Sequence, residues 1–258
     1  APHPLQQTRE AMSDTPEFLQ AGPRFYFFTG KGGVGKTSIA CAAAVQLADR
    51  GRRVLLVSTD PASNVSQVLG VPIGNTITPV GAVPGLSALE IDPEAAADAY
   101  RERVIAPLRG TLPDQELSGV TEQLSGSCTT EVASFDEFTT LLADPALDEV
   151  YDHIVFDTAP TGHTIRLLQL PGLWTDFLQA DKGEASCLGP MAGLDKQRQV
   201  YGAAVAALQD TARTRVVLVS RAQASSLADV ERTLGELAPL GIRPTHLVVN
   251  GVLPEAAG

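Results

Sequence analysis

The octapeptide Gly30-Lys31-Gly32-Gly33-Val34-Gly35-Lys36-Thr37 stands between the apolar run Phe25-Tyr26-Phe27-Phe28 and the small-residue run Ser38-Ile39-Ala40-Cys41-Ala42-Ala43-Ala44. Strand, glycine loop and helix in that order form a phosphate-binding loop. The glycines let backbone N–H groups turn inward around a polyphosphate, the helix opening near Lys36 points its positive end at the same place, and the Lys36 ammonium reaches the outer phosphates. Gly30, Gly32, Gly33, Val34, Gly35, Lys36, Thr37 and Ser38 are the expected nucleotide contacts, and the Thr37 hydroxyl is the expected magnesium ligand. Lys31 is an addition that ordinary phosphate loops do not require. A merely flexible glycine turn would need neither the strand before it nor the helix after it.

From Phe25 onward, short apolar runs alternate with helical patterns. The runs are Val54-Leu55-Leu56-Val57, Leu86 to Ile91, His153-Ile154-Val155-Phe156, Val216-Val217-Leu218-Val219 and Leu247-Val248-Val249. Continuous apolar strands alternating with helices predict an α/β fold, a doubly wound and mostly parallel sheet covered on both faces. Apolar spacing near i, i+3, i+4 predicts helices over Lys36 to Ala48, Pro93 to Leu108, Thr130 to Leu142, Leu194 to Leu208 and Leu227 to Leu237. Residues 1–23 carry Pro2, Pro4, Pro16 and Pro23 without sustained periodicity and read as an N-terminal tail, leaving 24–258 as one phosphate-loop domain. The chain stops soon after Asn250, where a doubly wound sheet still calls for a covering helix, so the domain is expected to continue further.

Composition narrows the class. At 258 residues and 44% hydrophobic content, the chain can bury one large core. A formal charge of −11 argues against holding nucleic acid or an anionic membrane surface by bulk electrostatics. No apolar segment approaches the roughly 18 residues of a membrane span, and the N-terminus has no basic region followed by an apolar one. A cytoplasmic protein is the expectation. The chain's 3 cysteines do not make a disulfide framework and fit a reducing compartment.

Further segments share the logic of the loop. Ser58-Thr59-Asp60-Pro61-Ala62-Ser63-Asn64 follows the strand at Val54, and Asp157-Thr158-Ala159-Pro160-Thr161-Gly162-His163-Thr164 follows the strand at His153. Both carboxylates stand at strand C-termini, the edge where doubly wound sheets bind ligands. A carboxylate there can hold magnesium or orient attacking water. A lone Asp after a strand is ordinarily a turn or cap residue. The repetition downstream of a phosphate loop favours the chemical reading.

Together with Leu124-Ser125-Gly126-Ser127-Cys128-Thr129-Thr130-Glu131 and Ala185-Ser186-Cys187-Leu188-Gly189-Pro190, these segments closely resemble the ArsA family, the ATPase subunits of arsenite efflux pumps. The likeness runs from about Phe25 to the last residues. It implies the deviant Walker A class, in which the extra lysine, Lys31 here, reaches across a pseudo-dimer interface to the opposite nucleotide. It places Asp60 in the first switch and Asp157 in the second, counts Asn64 among the nucleotide contacts, and assigns Asn250 an adenine contact. On local grounds alone, Asn250 would be a turn residue beside Gly251. Lys31, Lys36 and Asp60 become the catalytic candidates, and Thr37, Asp60 and Asp157 the magnesium set.

The same resemblance assigns Cys128, Cys187 and His163 to a site for trivalent arsenite or antimonite. Soft ions of that kind prefer thiolates to oxygen ligands, and Cys128 just ahead of a helical pattern would have its thiolate favoured by the helix N-terminus. Cys41, on the apolar face of the loop helix, is expected to be plain core. Implied with the metalloid site are MgATP hydrolysis, an efflux-channel partner that recruits the protein peripherally to the inner membrane, and room for an arsenic metallochaperone. ArsA proteins are tandems of two such halves, whereas this chain shows one phosphate loop. A third thiolate and the reach of Lys31 therefore call for a second ATPase half or a homodimer partner.

An ATP-dependent targeting factor for tail-anchored membrane proteins is the nearest alternative. It would be marked by a Cys-x-x-Cys clasp and a Met-rich groove; no cysteines here have that spacing and only 2 methionines are present. A MinD- or ParA-like organiser is disfavoured by the acidic balance and by the lack of a terminal basic amphipathic helix. A nucleotide switch with negligible turnover would be separated only by a rate measurement.

Overall fold

The computed structural model describes residues 15–20, 22–60, 64–158 and 194–252. Among these residues seven strands form one sheet: β1 (Phe25–Thr29), β2 (Val54–Ser58), β3 (Thr78–Pro79), β4 (Leu86–Glu90), β5 (His153–Asp157), β6 (Thr214–Arg221) and β7 (His246–Asn250). Their spatial order is β3-β4-β2-β5-β1-β6-β7, with every pairing parallel except β3 with β4. The doubly wound, mostly parallel α/β sheet expected from the apolar runs is thus the observed fold.

The helices among the described residues are α1 (Lys36–Asp49), α2 (Val65–Leu69), α3 (Pro93–Ile105), α4 (Asp114–Gln123), α5 (Ser127–Ala143), α6 (Pro145–Val150), α7 (Leu194–Gln209) and α8 (Ala224–Leu237). Strand residues alternate between two cores, as a period of two requires. Phe25, Phe27, Leu55, Val57, Ile154 and Phe156 pack against residues of α3, α5 and α7. Tyr26, Phe28, Val54, Leu56 and Val155 pack against α1. On the first face the Phe27 and Phe156 rings stack at 4.6 Å, and Phe138 of α5 meets both edge-on. On the second, Ala40, Cys41, Ala43 and Ala44 of α1 are buried, and their small side chains let the helix lie close to β1 and β2.

Local signals explain the element ends. The Asp92 side chain accepts from the N–H groups of Glu94 and Ala95 and caps α3, with Pro93 at its first position. Within the stretch read as a tail, Glu17–Leu19 forms a 3-10 turn: Leu19 is buried, the Phe18 ring meets Phe28 edge-on at 5.8 Å, and Arg215 donates to the carbonyls of Phe18 and Gln20. The apolar pair Phe18 and Leu19 anchors a segment whose prolines otherwise hide any period. Edge strand β7 leaves Leu247 and Val249 exposed. Among the described residues, no helix is long and apolar enough to cross a membrane.

Candidate nucleotide site

The loop after β1 sits at the C-terminal edge of the sheet, between β5 and β6 in strand order. Its course depends on absent side chains. A Cβ on Gly30 would lie 2.2 Å from the Val219 carbonyl oxygen of β6, and one on Gly35 would lie 2.3 Å from Asn250 Nδ2. Gly35 also has φ 93°, the left-handed region that glycine alone enters without strain, and α1 begins at the next residue. Among the described residues no side chain caps α1, which leaves its first N–H groups for a ligand in the loop. A cavity of about 520 Å³ opens there, lined by Gly32, Gly33, Gly35, Lys36, Thr37, Ser38, Asp60 and Asn64. These expected contacts are brought together. Gln67 and Val68 of α2 join the lining, and nothing in their local sequence marks them.

The polar groups converge on Asp157 at the end of β5. Thr37 Oγ1 donates to Asp157 Oδ2 at 2.7 Å, and Ser58 Oγ lies 3.5 Å from the same oxygen. Asp157 is fully buried, and its other oxygen, Oδ1, has no hydrogen-bond partner among the described residues. Burial pushes its carboxyl up to about 6, against the hydrogen bond from Thr37 and the charge of Lys36 and with added repulsion from Asp60. An orphaned carboxylate oxygen beside a threonine hydroxyl and a phosphate loop is the donor set that a hard divalent cation takes. Thr37 and Asp157 therefore fit magnesium. Asp60 is half-buried, with its N–H 3.4 Å from Ser58 Oγ.

The loop's two lysines stand apart. Lys36 is buried, and its ammonium donates to the Lys31 carbonyl at 3.3 Å. Lys31 turns outward, with Nζ 2.8 Å from Asp229 Oδ2 on α8; its side chain is 48% exposed and that of Asp229 13%. Asn250 braces the loop: Nδ2 donates to the Val34 carbonyl at 2.9 Å, and Oδ1 accepts from the Gly251 N–H at 2.9 Å. The amide named above for adenine thus has a structural task here, and it keeps a further hydrogen and lone pair for a ligand.

Of the expected metalloid ligands, Cys128 is the second residue of α5, which starts after Gly126. His163 and Cys187 lie outside the described residues. Cys41 is core as expected: burial, with the nearby Asp157 charge, pushes its thiol up to about 12. A second hollow of about 580 Å³ lies at the opposite edge of the sheet, where Arg24, Arg52, Asp148, Asp152 and His153 line it. Its two carboxylates are each held by an arginine, Asp148 by Arg24 and Asp152 by Arg53, and the glycine loop is not part of its lining.

A family model described as anion-transporting ATPase matches residues 23–258. The chain is 63% identical over 240 residues to an arsenical pump-driving ATPase of Acidiphilium multivorum, covering 93% of this chain and 41% of that protein. An arsenical pump-driving ATPase of Escherichia coli is 62% identical over 239 residues, with the same coverage of 93% and 41%. The chain thus spans less than half the length of these curated relatives. ATPase GET3 of Malassezia globosa is 33% identical over 258 residues, covering 93% of this chain and 76% of that protein. With the phosphate loop, the parallel sheet and the match over 23–258 in agreement, the chain belongs to the anion-transporting ATPase family.

Proposed function

We propose that this chain hydrolyses MgATP and couples hydrolysis to the binding of trivalent arsenite or antimonite, driving efflux through a membrane channel partner. The observation that carries the reading is the 63% identity over 93% of the chain to a protein named for driving an arsenical pump. The site geometry supports the hydrolytic half. In the reaction, water oxygen bonds to the γ-phosphorus as the bond to the β–γ bridging oxygen breaks, and charge spreads over the equatorial oxygens. Backbone N–H groups of the loop and the start of α1, with the Lys36 ammonium, face where that charge develops. Thr37 and Asp157 would hold magnesium, which would supply positive charge to offset that of the phosphates. Asp60 would orient the attacking water. Lys31 would serve an opposing nucleotide supplied by a second ATPase half or a homodimer partner.

Cys128, His163 and Cys187 are the proposed metalloid ligands, joined by a thiolate of the second half. Working with a channel, the chain would act in the cytoplasm at the inner membrane. A tail-anchor targeting factor is the weaker reading, because similarity to the arsenical group at 63% far exceeds the 33% to ATPase GET3. The test is the ATP hydrolysis rate with and without antimonite, for this chain alone and mixed with a second ATPase half. Stimulation by antimonite is expected. An unchanged rate together with absent antimonite binding would overturn the coupling.

A further inference from the structure

Among the described ion pairs, the contact of Lys31 with α8 is the one that engages the phosphate loop. Lys31 Nζ stands 2.8 Å from Asp229 Oδ2, and the other oxygen of that carboxylate, Oδ1, holds Arg232 Nη2 at 2.7 Å. Arg232 also lies 3.7 Å from Glu236. One carboxylate is thus shared between two cations, and the lysine has only part of its charge matched. Such an arrangement fixes the direction of a flexible four-carbon side chain without holding it firmly. The Lys31 side chain is 48% exposed, so the pair is screened by water.

We propose that Asp229 is the positioning residue for Lys31: it parks the ammonium on α8 of its own chain and yields it to the polyphosphate of an opposing nucleotide. The inference rests on the reading above that Lys31 serves a partner's nucleotide. Exchange favours the phosphates because a polyphosphate offers several full charges where Asp229 offers a share of one. Arg232 sets the strength of the hold. It competes for the same carboxylate and, once Lys31 leaves, keeps Asp229 from standing as an uncompensated charge. Removing Asp229 therefore frees the lysine, whereas removing Arg232 tightens its grip. The two substitutions act in opposite directions, which a general loss of packing would not produce.

The experiment measures the rate at which an amine-specific reagent modifies Lys31, read by mass spectrometry against an added lysine peptide standard. An amine held against a carboxylate is less open to the reagent than a free one, so pairing slows the reaction. Asp229→Asn is expected to raise the Lys31 rate about two- to fivefold, the range open to a half-exposed ion pair. Arg232→Gln is expected to lower it, by about twofold. In ATP turnover with a second ATPase half, Asp229→Asn should raise the metalloid-independent rate by a similar factor, about two- to fivefold, and Arg232→Gln should lower it. Unchanged labelling in Asp229→Asn, or changes of the same sign in the two variants in either labelling or turnover, would overturn the assignment. Arg232 is exposed, so its variant keeps the test decisive even if Asp229→Asn fails to fold. The labelling needs no hydrolysis, so the expected labelling pattern in a chain without any antimonite response would sink the metalloid reading and leave Asp229 in its role.

Discussion

Lys31 and Lys36 belong to one loop and carry the same charge, yet their surroundings differ. Lys36 is buried at the head of α1, within reach of the Lys31 carbonyl, so its ammonium is held beside any phosphate in the loop. Lys31 points away toward α8. Lys36→Ala is expected to abolish MgATP binding, and Lys31→Ala to leave affinity within about twofold while removing turnover; a nucleotide titration beside a rate assay decides, and equal loss of affinity in both variants contradicts this division. Asp157 gives a prediction with a definite sign. Its carboxyl is raised to about 6 by burial, so the folded chain binds this proton more tightly than the unfolded one. The group's stabilising contribution is complete below about pH 4 and is lost as pH rises through about 6, a difference of about 3 kcal/mol by neutral pH. Asp157→Asn removes the titration. The stability of that variant relative to the parent, from urea unfolding without nucleotide, should be greatest near pH 7.5. It should fall by about half at pH 5 and level off below about pH 4. A gap that does not change with pH would show that the carboxyl is not raised.

At the scale of elements, the loop is held by a strand remote in sequence. Asn250 at the end of β7 donates to the Val34 carbonyl, and the closeness of its amide nitrogen leaves no room for a Cβ on Gly35. Asn250→Ala should loosen the loop rather than the core. The expected result is a fall in MgATP affinity of about five- to tenfold, the equivalent of one hydrogen bond near 1 kcal/mol, with thermal unfolding nearly unchanged. Calorimetric titration alongside a melting curve checks both, and unaltered affinity would dismiss the brace. Such a contact leaves no trace in a linear sequence, and neither does Asp229, which sits mid-helix among ordinary surface residues. The loop, Asp60 and Asp157 were legible because their spacing from apolar strands is local.

The strands were legible for a related reason. Those buried on both faces read as continuous apolar runs, which is why β1, β2, β5 and β6 stand where the runs predict. The helix expected over Thr130 to Leu142 begins earlier, at Ser127, and so takes in Cys128. The one expected over Leu227 to Leu237 begins at Ala224. Polar first turns carry no apolar period, so their starts were hidden. Helix α4 escaped for the same cause carried further, since none of its residues is buried. Strand β3 is a Thr-Pro pair at an antiparallel edge, where proline is tolerated but announces nothing. α6 is short, and its signal is only the Asp144 side chain capping Ala146 ahead of Pro145.

For the molecule as a whole, the decisive question is what the thiols bind. Cys41 is 1% exposed, and its thiol is pushed up to about 12, so at neutral pH it stays protonated inside the core and is unsuited to a soft cation. Cys128 stands in the first turn of α5, where partial positive charge favours thiolate. Cys187 is its proposed companion from a Gly- and Pro-bounded stretch of sequence. Trivalent antimonite should therefore bind, and Cys128→Ser and Cys187→Ser should each lower its affinity by about tenfold or more, because a hydroxyl is a poor ligand for a soft ion. Cys41→Ser should leave metalloid affinity unchanged while lowering stability by about 1–3 kcal/mol through a buried hydroxyl lacking an assigned partner. Stimulation of hydrolysis is the less direct readout, since it also requires two halves to meet, whereas binding requires only the ligands. Calorimetry or thiol protection on the parent and the three variants separates them. Equal antimonite binding by the parent, Cys128→Ser and Cys187→Ser would remove the metalloid from the proposed function and return the chain to the targeting alternative. Loss confined to those two variants, with Cys41→Ser binding like the parent, would assign Cys128 and Cys187 as the metalloid ligands and leave Cys41 in the core.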